Sequence, residues 1–288
     1  MRDEAAHRAG VSLAPTRIGV LLCAPKINIV AARHLILSLN PEQRTFEFEL
    51  LKPLSTGAVV PLCSAEAVDA DYVDEIAERL PAEYDDMVTS LSSTFGLEEG
   101  PPSHYVVLST VRMTNNYYAI REGRLSVIAL GNWKRFMAPP SFLEFAQALV
   151  LREAVAAASP SLVSSGHLGT KGCLFDFNQH LDEVRHKILN GFVCRHCRNA
   201  LAGDGLPELG DELEHLLGKG WMGRPTDPTT PAGVAFNLGY DLFITKGLRA
   251  TPVEALRSGL QRAGAAQLAT IVGGIILAAL LVALGLKA

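Results

Sequence analysis

The sequence predicts an α/β fold, a mixed sheet with packed helices, followed by a transmembrane helix at the C-terminus. Three observations carry this expectation. Short apolar runs bounded by prolines and turn residues alternate with segments of helical spacing through the first half of the chain. The composition, 48% hydrophobic and 19% charged over 288 residues, can fill one substantial core or two modest ones and is not that of a disordered chain. The stretch 263–286, AGAAQLATIVGGIILAALLVALGL, holds no charged residue and, at about 1.5 Å per residue, would as a helix cover a bilayer core of about 30 Å.

The N-terminal residues 1–16, MRDEAAHRAGVSLAPT, lack the apolar stretch of a secretory signal and read as a disordered tail. RIGVLLCA, 17–24, lies between Pro15 and Pro25 and reads as a buried strand, and INIVAARHLILSL, 27–39, has helical spacing. TFEFELL, 45–51, alternates like a strand with one wet face, and residues 65–91 read as one helix with an acidic exposed side (Asp69, Asp71, Asp74, Glu75, Glu78). HYVVLSTVRM (104–113), YYAIR (117–121) and RLSVIALGN (124–132), separated by Asn115-Asn116 and Glu122-Gly123 turn signals, predict a three-stranded meander. After Pro139-Pro140, Ser141 is a candidate N-cap for a long helix, SFLEFAQALVLREAVAAAS.

These elements make an α/β domain over 17–203. Beyond it, 204–262 reads as a helical linker region, with LPELGDELEHLLGKG (206–220) amphipathic and GRPTDPTTPAG (223–233) linker-like in composition. In the span 263–286, apolar residues surround the circumference from Ile271 onward, leaving no polar stripe for water. Only Lys287 and Ala288 follow it, the arrangement of a tail anchor, and Arg249, Arg257 and Arg262 flank it on the N-terminal side. The positive-inside tendency then predicts a single-pass protein of the cell membrane with the bulk of the chain cytoplasmic. Its first partner would be the lipid bilayer. The net charge of −4 supplies no global basic field, so general nucleic-acid binding through phosphate neutralisation is disfavoured.

Five cysteines in a reducing compartment favour free thiols or metal ligands over a disulfide framework. Cys23 and Cys63 have no motif partner, and Cys23 reads as a small buried hydrophobe. Residues 166–201 are the most informative. They offer His167, Cys173, Cys194 and Cys197 in the spacing H-x5-C-x20-C-x2-C. A C-x2-C turn lets two thiolates reach one ion, and two further soft or borderline ligands complete a closed tetrahedral site for structural zinc. A redox pair and a coincidental pair are the alternatives, although a redox C-x2-C normally follows a strand, and here LDEVRHKILNG before it is helical in pattern. His167 is the weakest of the four ligands, and His180, His186 or His196 could replace it. Arg185, Lys187, Arg195 and Arg198 are read as cations offsetting the excess charge of three thiolates.

GCLFDFNQHLDEVRHKILNGFVCRHCRNAL resembles the C-terminal zinc knuckle of the archaemetzincins, small metzincin-type metallopeptidases. Cys173, Leu174 and Phe175 fall where that family has C-V-M, Phe177 matches the following aromatic residue, and Leu181, Glu183 and Val184 resemble its helix. Cys194 and Cys197 match the closing pair. His167 stands near the family's first cysteine, with one residue more before Cys173. The resemblance implies a metzincin-like fold and a structural zinc. It also locates a departure: where the family carries H-E-x-x-H, this chain has Arg152-Glu153-Ala154-Val155-Ala156. A zincin needs two histidines one helical turn apart to hold the metal that activates its water.

Other catalytic signatures, G-x-S-x-G, G-x-x-x-x-G-K-[ST] and G-x-G-x-x-G, do not occur. The expected function is therefore that of a membrane-anchored, non-catalytic zinc-binding module, an adaptor, sensor or polypeptide-binding domain with a protein or peptide partner. The first alternative is an active zinc metallopeptidase with rearranged ligands, drawing on His167, Glu153 and His180. The second is a membrane-perturbing effector acting through the C-terminal helix, where Gly273-Gly274 permits close helix contact.

Overall fold

A computed structural model of the chain describes residues 14–25, 27–163, 166–178 and 180–240, and beyond these only 252–253, 256, 270 and 273–275. Strand β1 (Thr16–Cys23) is followed by helix α1 (Ile29–Leu37), strand β2 (Phe46–Leu51), the short helix α2 (Val60–Ser64) and the two-residue strand β3 (Ala67–Val68). Helices α3 (Ala70–Ile76) and α4 (Arg79–Phe95) lead to β4 (His104–Ser109), β5 (Arg112–Met113), β6 (Ala119–Glu122) and β7 (Leu125–Ala129). The remaining elements are helical: α5 (Phe142–Ala158), α6 (Pro160–Val163), α7 (Leu181–Asn190), α8 (Arg195–Gly203), α9 (Leu209–Gly218) and α10 (Pro231–Asn237).

Five strands form a mixed sheet in the order β2-β1-β4-β7-β6, and β3 pairs with β5 in a separate ribbon. The first four strands of the large sheet run parallel, and β6 is antiparallel to β7. Helices cover both faces, which explains why RIGVLLCA is apolar without alternation. Ile18, Val20 and Leu22 face a core shared with α1, α5 and α7–α10, whereas Leu21 and Cys23 face a second core built with α2, α3 and α4. Strand β4 divides the same way, Val106 and Leu108 to the first core, Tyr105 and Val107 to the second. At the sheet's edge, β2 buries Phe46 and Phe48 and leaves Glu47 exposed, the alternation its sequence shows.

The long helix α5 starts where Ser141 and Glu144 exchange side-chain-to-backbone hydrogen bonds in a capping box, an arrangement worth about 1 kcal/mol. It is buried on nearly every side, from Phe142 through Val155, because it packs between the sheet and the C-terminal helices. At the start of α1, the Asn28 side chain accepts from the Ala31 N–H and donates to the Leu238 carbonyl, tying α1 to the end of α10.

Four expectations change. Residues 104–132 are not a meander: only β6 and β7 form a hairpin, and β7 returns to lie parallel beside β4. Strands β4 and β7 are buried on both faces and belong in the covered interior, whereas β6, with Arg121 and Glu122, suits the edge. Residues 65–91 are not one helix. The chain forms β3, then α3, and restarts as α4 with Pro81 in its first turn, where a missing N–H costs no helical bond. Cys23 and Cys63 are joined by a disulfide, because β1 and α2 face each other across the second core. The expectation of five free or metal-bound thiols therefore holds for three. Finally, 223–233 folds rather than linking: Asp227 caps a turn through Thr229, Thr230 caps α10, and Ala232 and Gly233 are buried. An added Cβ at Gly233 would lie 1.8 Å from the Asp227 carbonyl oxygen. The core that begins at β1 thus extends through Ala235 to Tyr240.

The disordered tail expected at 1–16 lies outside the described residues as far as residue 13, and β1 already begins at Thr16. Of the span expected at 263–286, only Thr270, Gly273, Gly274 and Ile275 are among them. Among the described residues, no helix is long and apolar enough to cross a membrane.

Candidate metal centre

Two segments that flank α7 are laid side by side. The first, 166–178, bridges to itself through His167 and Asp176, with the Phe177 N–H donating to the His167 carbonyl at 2.8 Å. It bridges to the second through Cys173 and Phe192, with the Leu174 N–H donating to the Phe192 carbonyl at 3.0 Å. Helix α7 ends at Gly191 (φ 58°), a left-handed cap that turns the chain back toward Cys173. Helix α8 then begins with Cys194 as N-cap and Cys197 in its first turn, a placement that puts both thiols on one side of the helix.

The donor atoms of His167, Cys173, Cys194 and Cys197 all lie within 4.8 Å of one another. His167 Nε2 is 3.1 Å from Cys194 Sγ and 3.2 Å from Cys197 Sγ, and Cys173 Sγ is 3.9 Å from Cys197 Sγ. A zinc tetrahedron with bonds of about 2.3 Å to sulfur and about 2.0 Å to nitrogen has S···S edges near ~3.8 Å and S···N edges near ~3.5 Å. The set therefore fits zinc in chemistry and in spacing. Cys173 and Cys197 are fully buried, His167 nearly so and Cys194 partly. Four protein donors fill the tetrahedron and leave no position for a reacting water.

The Cys173 thiol is drawn down to about 6, chiefly by the hydrogen bond it shares with Cys197, against desolvation and with help from the Cys194 and Phe175 N–H groups. The Cys197 thiol is pushed far up by that same bond, by burial and by its two sulfur neighbours. To hold a divalent ion, the three thiols and the imidazole nitrogen would each have to be deprotonated.

Asp176 orients the site. Its Oδ1 lies 2.8 Å from His167 Nδ1, turning Nε2 toward the thiols, and its Oδ2 accepts the N–H groups of Lys171 (2.6 Å), Gly172 (2.7 Å) and Cys173 (3.1 Å). Gly172 sits at φ +80°, and a Cβ there would meet the Asn190 side chain at 2.7 Å. Behind Asp176, the wholly buried Lys187 donates to its carbonyl (2.9 Å) and to the Tyr118 hydroxyl (3.0 Å). Desolvation, aided by Arg152, lowers this ammonium to about 7.

The four ligand candidates named by sequence are thus brought together. The substitutes are not: His180 lines a separate cavity with Tyr117 and Phe136, and His196 only packs edge-on against the His167 ring at 6.0 Å. Of the basic residues expected to balance the thiolates, Lys187 alone reaches the Asp176 support. Arg198 pairs with Asp211 and Glu214, and Arg185 donates to the Pro139 carbonyl.

Glu153 stands apart from this cluster. Its Oε2 accepts from Arg121 Nη2 (2.8 Å) and Ser126 Oγ (3.0 Å), and its Oε1 from Arg152 Nη1. Burial pushes its carboxyl up, but Arg152 and Arg121, with the bonds from Arg121 and Ser126, hold it below the ordinary range. It remains an ion-paired carboxylate, opposite to the raised pKa of a general base tuned for neutral pH. Arg152 and Ala156 lie one turn apart on α5, and both line a cavity of about 180 Å³ with Glu153.

Sequence reasoning missed Asp176, Arg121, Ser126 and His104, the last bonded through Nε2 to Ser126 Oγ at 2.9 Å. Asp176 had a signal: an aspartate three residues after Cys173, in a glycine-containing loop, is suited to collecting backbone N–H groups. Arg121 had none, because its partner lies 32 residues away.

No family model and no curated protein matches the chain. Among solved structures, the crystal structure of archaemetzincin from Methanopyrus kandleri aligns with it at 13% identity and a TM-score of 0.39, over 66% of this chain and 96% of that one. It belongs to the family that the knuckle residues resemble; at this level of likeness no residue's role is carried across.

Proposed function

We propose that the domain is a non-hydrolytic, zinc-stabilised binding module that takes a polypeptide partner. The observation that carries the reading is the closure of the metal centre: three thiols and an imidazole converge in a buried site, and the one conspicuous carboxylate of α5 is consumed by two arginines. His167, Cys173, Cys194 and Cys197 are assigned as the ligands of one structural zinc, which fastens the segments on either side of α7. The partner surface is assigned to the open edge of β6, which borders the cavity between Arg121 and Arg152. An outer strand offers unpaired N–H and C=O groups to an extended peptide. The uncharged stretch 263–286 is assigned as the anchor to a cell membrane.

Metal stoichiometry tests the reading. The expected result is one zinc per chain that survives dialysis, together with no peptidase activity. A second, exchangeable zinc with peptidase activity abolished by Glu153→Gln would overturn it. Flotation with liposomes that is lost on deletion of 263–286 is the expected result for the anchor.

A further inference from the structure

The cavity of about 180 Å³ beside α5 has an unbalanced charge. Arg121 enters it from β6 and Arg152 from α5, and among the described residues Glu153 is the only carboxylate in its lining. Glu153 is already engaged on both oxygens. Among the described residues, the Arg152 guanidinium donates only through Nη1, to Glu153, and its Nε is a buried donor with no acceptor. The Nε–Nη2 edge is thus left over, and that edge is the fork that grips a carboxylate with two parallel bonds. Buried donors without partners are rare in folded proteins, and one beside a cavity calls for an acceptor.

The rest of the lining sets the size and character of the ligand. Ala156, Phe175 and Phe177 give apolar walls, and a second cavity of about 110 Å³ shares Ala119, Arg152 and Phe177 with the first. A space of about 180 Å³ is enough for several waters. That is room for a carboxyl group with a short aliphatic tail. Buried polarity of this kind strengthens a charged contact relative to water.

We propose that this cavity is a binding site for a single carboxylate bearing a short apolar group, gripped by Arg152 with Arg121 beside it. The carboxylate is that of a free small acid or of a polypeptide C-terminus. The site lies in the cleft assigned to the partner and deepens that reading, resting on it only for the polypeptide source.

The test is calorimetric titration of the full, zinc-loaded chain with 3-methylbutanoate and with 3-methylbutanamide. The acid is expected to bind at least tenfold more tightly than the amide. N-acetyl-glycyl-leucine and its C-terminal amide form a second arm: preference for the peptide acid over 3-methylbutanoate identifies a chain terminus, and the reverse a free acid. Arg152→Gln is expected to weaken acid binding at least tenfold. Should it fail to fold, Ala156→Leu decides, because it fills the cavity without altering charge and is expected to abolish binding while zinc content stays at one. Equal binding of acid and amide, absence of binding by every probe, or undiminished binding by Ala156→Leu would overturn the proposal. A chain that binds 3-methylbutanoate but no peptide acid removes the polypeptide reading and leaves the carboxylate site standing.

Discussion

His167 and Asp176 are fastened to each other twice, by the side-chain contact of 2.8 Å between Nδ1 and Oδ1 and by a backbone bridge between the same two residues. The imidazole cannot turn without disturbing the loop that also carries Cys173. Asp176→Asn keeps the shape but replaces a carboxylate acceptor by an amide, and zinc affinity is expected to fall by about 10- to 100-fold. Competition with a chromophoric chelator measures it. Unchanged affinity would show that the carboxylate does not orient the ligand.

Cys194→Ser with Cys197→Ser removes two of four ligands and is expected to abolish stoichiometric zinc. Metal binding by such a site is folding free energy. A loss of about 3 to 5 kcal/mol corresponds to a Tm lowered by roughly 10 °C in a domain of this size. Chelation of the parent chain should produce the same shift in calorimetry, and the double variant should show no further response to chelator.

Glu153→Gln separates structure from catalysis. It leaves two guanidinium groups facing a neutral side chain in a buried setting, at a cost of about 3 kcal/mol. Zinc content is expected to remain at one per chain, because Glu153 is outside the ligand cluster. Urea denaturation and metal analysis on one preparation read both quantities. Loss of zinc in this variant would contradict the assignment.

His104 makes stability depend on pH. Its ring is lowered from 6.5 to about 4, by burial first and by Arg121 and Arg124, with Glu153 opposing. The unfolded chain therefore binds a proton in a window where the folded chain does not. The stability contribution is complete above about pH 6.5 and is lost as pH falls toward 4, with a limiting slope of about 1.4 kcal/mol per pH unit. His104→Gln keeps a polar atom for Ser126 without titrating. Its urea midpoint should fall less steeply than that of the parent between pH 6.5 and 4, and parallel curves would refute the assignment.

Gly172→Ala tests the loop that collects around Asp176. The residue sits at φ +80°, and a Cβ would press on Asn190. The backbone penalty alone is about 1 to 2 kcal/mol, and zinc affinity should fall with it. Preserved affinity and stability would mean that the loop relaxes freely.

What the sequence disclosed and what it withheld divide along physical lines. The four ligand candidates were legible because thiol and imidazole chemistry depends on residue type and spacing, and both survive in a one-dimensional string. Helix α5 was legible because its cap, Ser141 with Glu144, lies within a single turn. The pairing of β7 with β4 was not, since proximity along the chain favours a hairpin neighbour, and only burial of both strand faces, Val127 and Val107 toward one core and Ile128 and Val106 toward the other, selects the interior position. The Cys23–Cys63 bond was hidden for the same reason: 40 residues separate the two, and nothing local marks them as neighbours. Arg121 lay beyond reach too, because its role arises only when β6 reaches the edge beside α5.

The distances along the chain also set an order of assembly. His167 and Cys197, the outermost ligands, are 30 residues apart, and α7 between them is a local structure. The sheet, by contrast, sets Ile18 beside His104 in parallel register, and such a pairing waits until the intervening chain has been laid down. Closing a long loop carries the larger entropy cost, and pairings between distant segments are slow. The knuckle is therefore the segment that a nascent chain can complete locally once Cys197 has emerged. In kinetic terms, a zinc bound there would close a separation of 30 residues, a smaller entropy cost than bringing Ile18 beside His104.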